Sequence, residues 1–242
     1  MPEPSTRVPR GTSTCSRETS VKAAVADLRR LAGIGLGDFI SFSFDKAEPI
    51  KADDEYRNGM KVWFTPSLGG KSLQAVSVDL VVDEVDGLEP ETITPADRLQ
   101  IEDIPVFDYR IHRAESALAD KLLAMVEVHD GRPSSRVKDL VDVVAYAKAC
   151  RIGSRTLAEQ VANESCARKV DLPERFQIPD AWPAAYGKPY AKMARQAKVD
   201  DVAPDMASAE ELAARLYAPA LGAVQAGDSP AWSPAALDWT AA

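Results

Sequence analysis

The chain has 242 residues and a mass of 26.1 kDa, with 45% hydrophobic, 27% charged and 7% aromatic residues. That composition excludes wholesale disorder, a collagen-like repeat and a disulfide scaffold, and its length suits one large domain or one domain with a helical annex. Lys and Arg number 29 against 37 Asp and Glu, a net charge of -8 that argues against a protein coating nucleic acid non-specifically. No apolar run approaches the ~18 residues of a membrane span, and the mean hydropathy is -0.21. Cys15, Cys150 and Cys166 form no CxxC pair, and with only two histidines a zinc finger is excluded. A reducing cytoplasm is the compartment that fits.

Residues 1–19 carry Pro2, Pro4 and Pro9, several arginines and few large apolar residues, and read as a disordered tail. A transit peptide is the sharper alternative, but the apolar face it needs is missing. From Ser20 the pattern becomes helical: Val21, Ala24, Val25, Leu28 and Leu31 recur at helical spacing, Ser20 caps the start and Gly33 marks the stop. Residues 38–44 alternate, with Ile40, Phe42 and Phe44 on one face of a half-buried strand. Two more alternating runs, 60–65 and 73–82, flank Gly69-Gly70, which reads as a hairpin turn. Residues 83–112 form a polar connection ending in an extended stretch at 104–109.

Helices are predicted at 114–128, 137–150, 155–166 and 208–217, with a Pro- and Trp-marked segment at 172–190. The tail 222–242, rich in Ala, Pro, Gly and Ser, is expected to be flexible and to strap loosely on the surface through Trp232 and Trp239. The fold class is α+β, a small sheet followed by helices. The boundaries are a tail at 1–19, a sheet-containing core at 20–112, a helical region at 113–221 and a tail at 222–242.

Gly69-Gly70-Lys71-Ser72 is not a phosphate-binding loop. Thr65 stands where the motif needs a glycine, and a strand follows where it needs a helix. Lys121 is more informative. On a 100° wheel it falls inside the apolar arc that holds Leu118, Leu122, Met125 and Val126, flanked by Ala114 on one side and Ala117 and Ala124 on the other, so it must snorkel, pair with a buried acid or face a ligand. Periodicity alone is satisfied by snorkelling; facing a ligand would let its ammonium offset charge on a transferring phosphate. Asp139 starts the next helix, where an acid already favours the helix dipole. It borders the apolar side near Val143 and Cys150, whereas Asp142 lies outside it. Asp79 shares a strand face with the small residues Ala75, Ser77 and Val81. It is either solvent-exposed or one carboxylate of a Mg2+ site. His112 and His129 stand apart from any nucleophile, so a hydrolase triad has no support, and Cys150 reads as core.

The stretch AESALADKLLAMVEVHDGRPSSRVKDLVDVVAY, residues 114–146, resembles the AbiEii/AbiGii-type nucleotidyltransferase toxins. Ala119-Asp120-Lys121-Leu122 stands for the family's "AEKL" helix. Arg136-x-Lys138-Asp139-Leu140-x-Asp142-Val143 stands for its R-x-K-D-L-x-D-L helix. Val78-Asp79-Leu80 resembles its "iDv" strand, Tyr56-Arg57-Asn58-Gly59 its preceding hairpin, and weaker likeness extends the match to about residues 21–221.

The resemblance implies a DNA-polymerase-β-like core with a helical C-terminal half, a nucleoside triphosphate substrate with Mg2+, a cytoplasmic site of action and a cognate antitoxin. It also implies a tRNA-like RNA or a protein as acceptor. Carried over by position, Lys121 contacts the triphosphate, with Arg136 and Lys138 beside it as further nucleotide-binding residues. Asp139 orients or deprotonates the acceptor hydroxyl, and Asp79 is the sheet's metal-binding carboxylate. The family's first motif, a glycine turn followed by a D-x-D strand, has no counterpart in residues 1–19. This leaves two readings: a nucleotidyltransferase toxin whose chain is incomplete, or an inactive member that binds nucleotide or antitoxin. An α+β domain whose Lys and Asp pair structurally is a blander third. The charge is uneven: residues 79–108 hold ten acids and one base, a local -9 against the chain's -8. The rest is about neutral, which leaves Lys121, Arg136 and Lys138 free to form a cationic cleft.

Overall fold

A computed structural model describes residues 14–35, 37–50, 58–82, 88–94, 108–129, 131–222 and 229–241. The chain divides into two compact units, one comprising 1–84 with 101–104 and the other 85–100 with 105–242.

In the first unit, helix α1 (Thr14–Ala32) precedes strands β1 (Ile40–Pro49), β2 (Asn58–Leu68), β3 (Lys71–Ser72) and β4 (Val76–Val82). The helix begins six residues before the predicted start at Ser20, so residues 14–19 of the expected tail are helical. Residues 1–13 lie outside the described part. β2 is the centre of the sheet: β1 pairs with it antiparallel on one side, and β3 and β4 pair antiparallel on the other. Gly69 and Gly70 have φ of +55° and +85°, so both occupy the left-handed region that a two-residue hairpin turn demands. The predicted strand 73–82 is broken, because residues 73–75 leave the ladder between β3 and β4.

The register puts Ile40, Phe42, Phe44, Val62, Phe64, Val76 and Val78 on one face, against which α1 packs. Val62 and Phe64 are buried, and the Phe44 ring meets Phe64 edge-on at 5.9 Å. The predicted half-burial of Ile40 and Phe42 is corrected: Phe44 is half-buried, whereas Ile40 and Phe42 are exposed. Alternation assigns a face; it does not say how far along that face a single helix reaches. A bulge at Asp45 keeps the face apolar by restoring Ala47 and Pro49 to it, and the Asp45 carboxylate accepts a hydrogen bond from the Thr65 hydroxyl at 2.8 Å.

The second unit opens with the short pairs β5 (Glu91–Ile93) with β6 (Tyr109–Ile111), then α2 (Ala114–Val126) and the hairpin β7 (Val128–His129) with β8 (Arg132–Pro133). The helices α3 (Val137–Ala149), α4 (Ser154–Arg168), α5 (Trp182–Gln196) and α6 (Met206–Leu221) follow, with β9 (Ile152–Gly153) between α3 and α4. The helices predicted at 114–128, 137–150, 155–166 and 208–217 match α2, α3, α4 and α6. α5 arises from the Pro- and Trp-marked segment. Helix α2 packs against both α3 and α4, and α6 covers the same pair.

Leu118, Leu122, Leu140, Val144, Leu157, Val161 and Leu216 are fully buried in the core. Buried aromatics carry the polar ties: Tyr217 Oη donates to the Leu118 carbonyl at 2.9 Å, Tyr190 Oη to Ala203 at 3.0 Å and Trp182 Nε1 to Ser134 at 2.6 Å. Each ring thus buries its apolar body while its one polar atom finds a partner.

The flexible tail predicted at 222–242 is also corrected. β10 (Ala231–Ser233) and β11 (Asp238–Thr240) form a hairpin that extends β9 into a three-stranded sheet. Trp232 is fully buried, and its Nε1 donates at 2.7 Å to the Ala147 carbonyl, one of those that the last turn of α3 leaves without a helical partner. Trp239 meets Trp232 edge-on at 5.6 Å and donates to the Arg215 carbonyl. Composition read this segment as loose; two indoles with satisfied N–H groups anchor it.

Trp232→Ala is expected to destabilise the second unit by about 3–5 kcal/mol, the usual loss for deleting a buried aromatic ring. Urea unfolding followed by far-UV circular dichroism reads it. A loss below about 0.5 kcal/mol, typical of surface changes, would mean that the hairpin merely rests on the unit.

Candidate functional site

Lys121 sits on α2 with the core residues Leu118, Leu122 and Met125 around it, and its side chain is 16% exposed. A cation so placed needs a partner, and α3 supplies two. Lys121 Nζ lies 3.3 Å from Asp139 Oδ1 and 2.7 Å from Asp142 Oδ2. The two acids stand three residues apart and so share one helix face, turned toward α2. Of the three options that periodicity left for Lys121, pairing with acids is the one realised. Burial acts to lower the Lys121 pKa. The Asp142 hydrogen bond and the charges of both carboxylates outweigh it, and the ammonium titrates above its ordinary 10.5.

The approach to this cluster is set by the loop between the helices. The Ser134 hydroxyl is buried and donates to the Ala124 carbonyl of α2 at 2.6 Å, while it accepts the Arg136 backbone N–H at 3.2 Å. One side chain therefore ties the end of α2 to the start of α3. Arg136 and Lys138 follow, both exposed, with no ion pair to a described residue. They stand beside the Lys121 cluster on the same helix as its acids, available to a ligand from solvent.

Along the outer side of α2 and α3 runs a cavity of about 360 Å³ lined by Lys121, Asp142, Ala145, Tyr146, Ala149 and Cys150. Burial raises the Tyr146 pKa; the nearby Lys121 charge opposes the shift without cancelling it. Burial likewise pushes the Cys150 thiol up, with the charges of Glu91 and Glu115 adding to it. Cys150 is thereby kept as a thiol at neutral pH, a poor nucleophile that lines a wall. Lys121, Asp139 and Asp142 together carry a formal charge of -1. An incoming phosphate must therefore draw Lys121 away from its carboxylates or rely on Arg136 and Lys138.

Asp79 lies in the first unit, on the polar face of β4, directly opposite Lys61 in the ladder. It is exposed, and its Oδ1 stands 3.2 Å from Lys61 Nζ. The site that takes shape thus comprises Lys121 and Asp139 with Arg136 and Lys138 beside them; Asp79 is engaged with Lys61 within its own sheet. His112 is exposed, and the His129 side chain lies outside the described part. No group of three or more His, Cys, Asp or Glu that could hold a metal ion occurs among the described residues. Asp139 and Asp142 share an ammonium and Asp79 shares another, so the described carboxylates do not fit a two-metal centre.

Sequence reasoning on the wheel missed Asp142, which it placed outside the apolar side of α3; the second Asp of the R-x-K-D-L-x-D-L pattern was the signal available. It also missed Arg168, whose side chain is 1% exposed and meets Asp120, Glu127 at 3.6 Å and Glu164 at 3.0 Å. Asp120 and Glu127 belong to the same helical region as Lys121, so α2 is held by charge to α4 on one side and to α3 on the other.

The family model described as "Nucleotidyl transferase AbiEii toxin, Type IV TA system" matches residues 12–230 of the chain. No curated protein matches it. No helix among the described residues is long and apolar enough to cross a membrane.

Lys121→Met is expected to cost roughly 2–4 kcal/mol, because it leaves two partly buried carboxylates facing each other. This is somewhat below the loss for a fully buried pair, since Asp142 keeps contact with water. A raised folded pKa means that the stabilisation from Lys121 is complete below its unfolded value of 10.5 and fades as pH rises through the folded one. Urea titrations across alkaline pH should therefore lose stability in the wild type that Lys121→Met no longer has to lose. Parallel curves for the two proteins would refute the pairing.

Proposed function

The chain belongs to the AbiEii family of nucleotidyl transferase toxins of type IV toxin–antitoxin systems, and on that premise we propose that it moves a nucleotide from a nucleoside triphosphate to a hydroxyl of a tRNA-like RNA or a protein. The observation that carries this reading is the Lys121 ammonium shared between Asp139 and Asp142 at the edge of a cavity. In the proposed reaction the triphosphate is drawn in by Arg136 and Lys138, and Lys121 turns from Asp139 toward the phosphate being transferred. That movement frees an Asp139 oxygen to accept the acceptor's O–H. The hydroxyl oxygen attacks the α-phosphorus, its proton passes to Asp139, the bond from the α-phosphorus to the bridging oxygen breaks, and pyrophosphate leaves. Asp142 keeps its hydrogen bond to Lys121 and limits the swing.

Mg2+ belongs to the proposal as the counter-ion of the triphosphate. Asp79 is kept as the family's sheet carboxylate and would have to give up Lys61 to act as a metal ligand. The setting proposed is cytoplasmic, with a cognate antitoxin as partner and phage defence by abortive infection as the role.

A second reading, an inactive member that binds nucleotide or antitoxin, is favoured by one observation: the described residues assemble no carboxylate cluster for metal. The two are separated by incubating the purified chain with each radiolabelled nucleoside triphosphate, Mg2+, and total RNA or cell protein. Transfer is expected to RNA or protein, to stop with EDTA and to fall at least ~100-fold in Asp139→Ala, the lower range for loss of a positioned base. Nucleotide binding without transfer to either acceptor would rule out the enzyme and leave the binding protein.

A further inference from the structure

α5 departs from the acidity of the rest of the chain. Its sequence WPAAYGKPYAKMARQ contains Lys188, Lys192 and Arg195 and no acid, in a protein of net charge -8. Their spacing of four and three residues is that of one helical stripe. At ~100° per residue the three fall within an arc of about 60° on the side opposite Tyr190, which is fully buried. All three are exposed. None makes an ion pair with a described residue, whereas Lys61, Lys121, Lys148 and Arg168 each do. The nearest acids along the chain, Asp180 and Asp200, stand beyond the helix ends, and Asp201 is taken by Lys148 at 2.7 Å.

The stripe is also placed with respect to the Lys121 cluster. Trp182, the first residue of α5, donates to the Ser134 carbonyl just before α3. At the other end Lys148 of α3 donates to the Lys198 carbonyl, two residues past α5, at 2.8 Å. The two helices therefore run side by side in the same direction. On the α3 wheel Lys138 lies on the exposed strip between the carboxylates that face Lys121 and Lys148, which faces the end of α5. Lys138 thus stands on the part of α3 between the Lys121 cluster and the side that meets the end of α5. From Lys188 to Arg195 the stripe is about 10 Å long, the span of roughly three nucleotides at ~3.4 Å rise per strand. At its near end the ring of Tyr186, half-buried, packs edge-on against Trp182 at 6.3 Å.

We propose that the exposed face of α5 formed by Lys188, Lys192 and Arg195 is the docking surface for the phosphate backbone of an acceptor RNA whose terminal hydroxyl enters the Lys121 site. This rests on the nucleotide transfer proposed above and assigns its acceptor to RNA. The evenly spaced, unpaired charges match a polyanion, and they read no sequence: contacts of this kind set position and affinity.

The test measures binding of fluorescein-labelled total tRNA by anisotropy between 50 and 200 mM salt, a range chosen because phosphate contacts weaken steeply across it. Wild type is compared with the triple variant Lys188→Gln/Lys192→Gln/Arg195→Gln and with a control, Arg151→Gln/Arg155→Gln, that neutralises exposed cations elsewhere. The triple variant is expected to bind at least tenfold more weakly at the lowest salt. Its slope of log K against log salt should be shallower by about 2–3, as loss of three phosphate contacts requires. The control should bind as wild type does, and labelled nucleoside triphosphate should bind all three alike, since the stripe lies outside the cavity. An unchanged slope in the triple variant, an equal loss in the control, or anionic phosphatidylserine vesicles captured in preference to tRNA would overturn the proposal. Label transferred to protein and not to RNA would overturn it too, while leaving the transferase reading intact. Stripe-dependent tRNA binding with no transfer to any acceptor would overturn the transferase reading and, with it, the acceptor role assigned here, leaving only an RNA-binding face.

Discussion

A lysine with only 16% of its side chain exposed governs the second unit. The Lys121 ammonium is enclosed by the apolar flank of α2, and a charge so placed is tolerable only if opposite charge comes to it. Asp139 and Asp142 meet that demand from α3, which fixes the rotation of α3 about its axis as well as its distance from α2. The same logic operates on the far side of α2, where Asp120 and Glu127 converge on the buried guanidinium of Arg168 at the end of α4. Hydrophobic burial explains why three helices come together; these two clusters explain why they do so in one register.

The buried aromatics extend that rigidity to backbone that no helix satisfies. Trp182 holds the loop that begins α3, Trp232 holds the carbonyl that ends it, and Tyr217 reaches the middle of α2 from α6. α3 is therefore pinned at both ends and along one face, while the strip bearing Lys138, Asp142 and Tyr146 is left toward the cavity. A site that must hold a lysine and an aspartate within hydrogen-bond reach benefits from such fixed supports. The sheet unit is built differently, with one helix covering part of an apolar face and Phe42, Val76 and Val78 left exposed on it.

How much of this was legible in the sequence depended on whether a feature was local. Lys121 stood out because a charge inside an apolar stripe violates the helix's own periodicity. The Gly69-Gly70 turn stood out because glycine adopts the left-handed backbone of both turn positions without steric cost. Asp142 was hidden because a helical wheel reports the direction of a side chain relative to its own core and says nothing of a cation on the next helix. Arg168 was hidden for a related reason: two of its acids lie on α2 and at its C-terminal end, more than forty residues earlier in the chain. Trp232 and Trp239 were visible as residues, but their burial depends on β9 and the end of α3, which composition cannot locate. The partial cover of the β1 face is likewise a property of where α1 ends and not of the alternation in 38–44.

The place of Trp232 in the core has a consequence for synthesis. Ribosomes deliver the chain from its N-terminus, and domains fold as their parts emerge. The second unit buries an indole encoded after all six described helices. Until that residue arrives, the Ala147 carbonyl at the end of α3 lacks its donor. A chain still being made thus holds Lys121 and its two acids before it holds the indole that caps the end of α3.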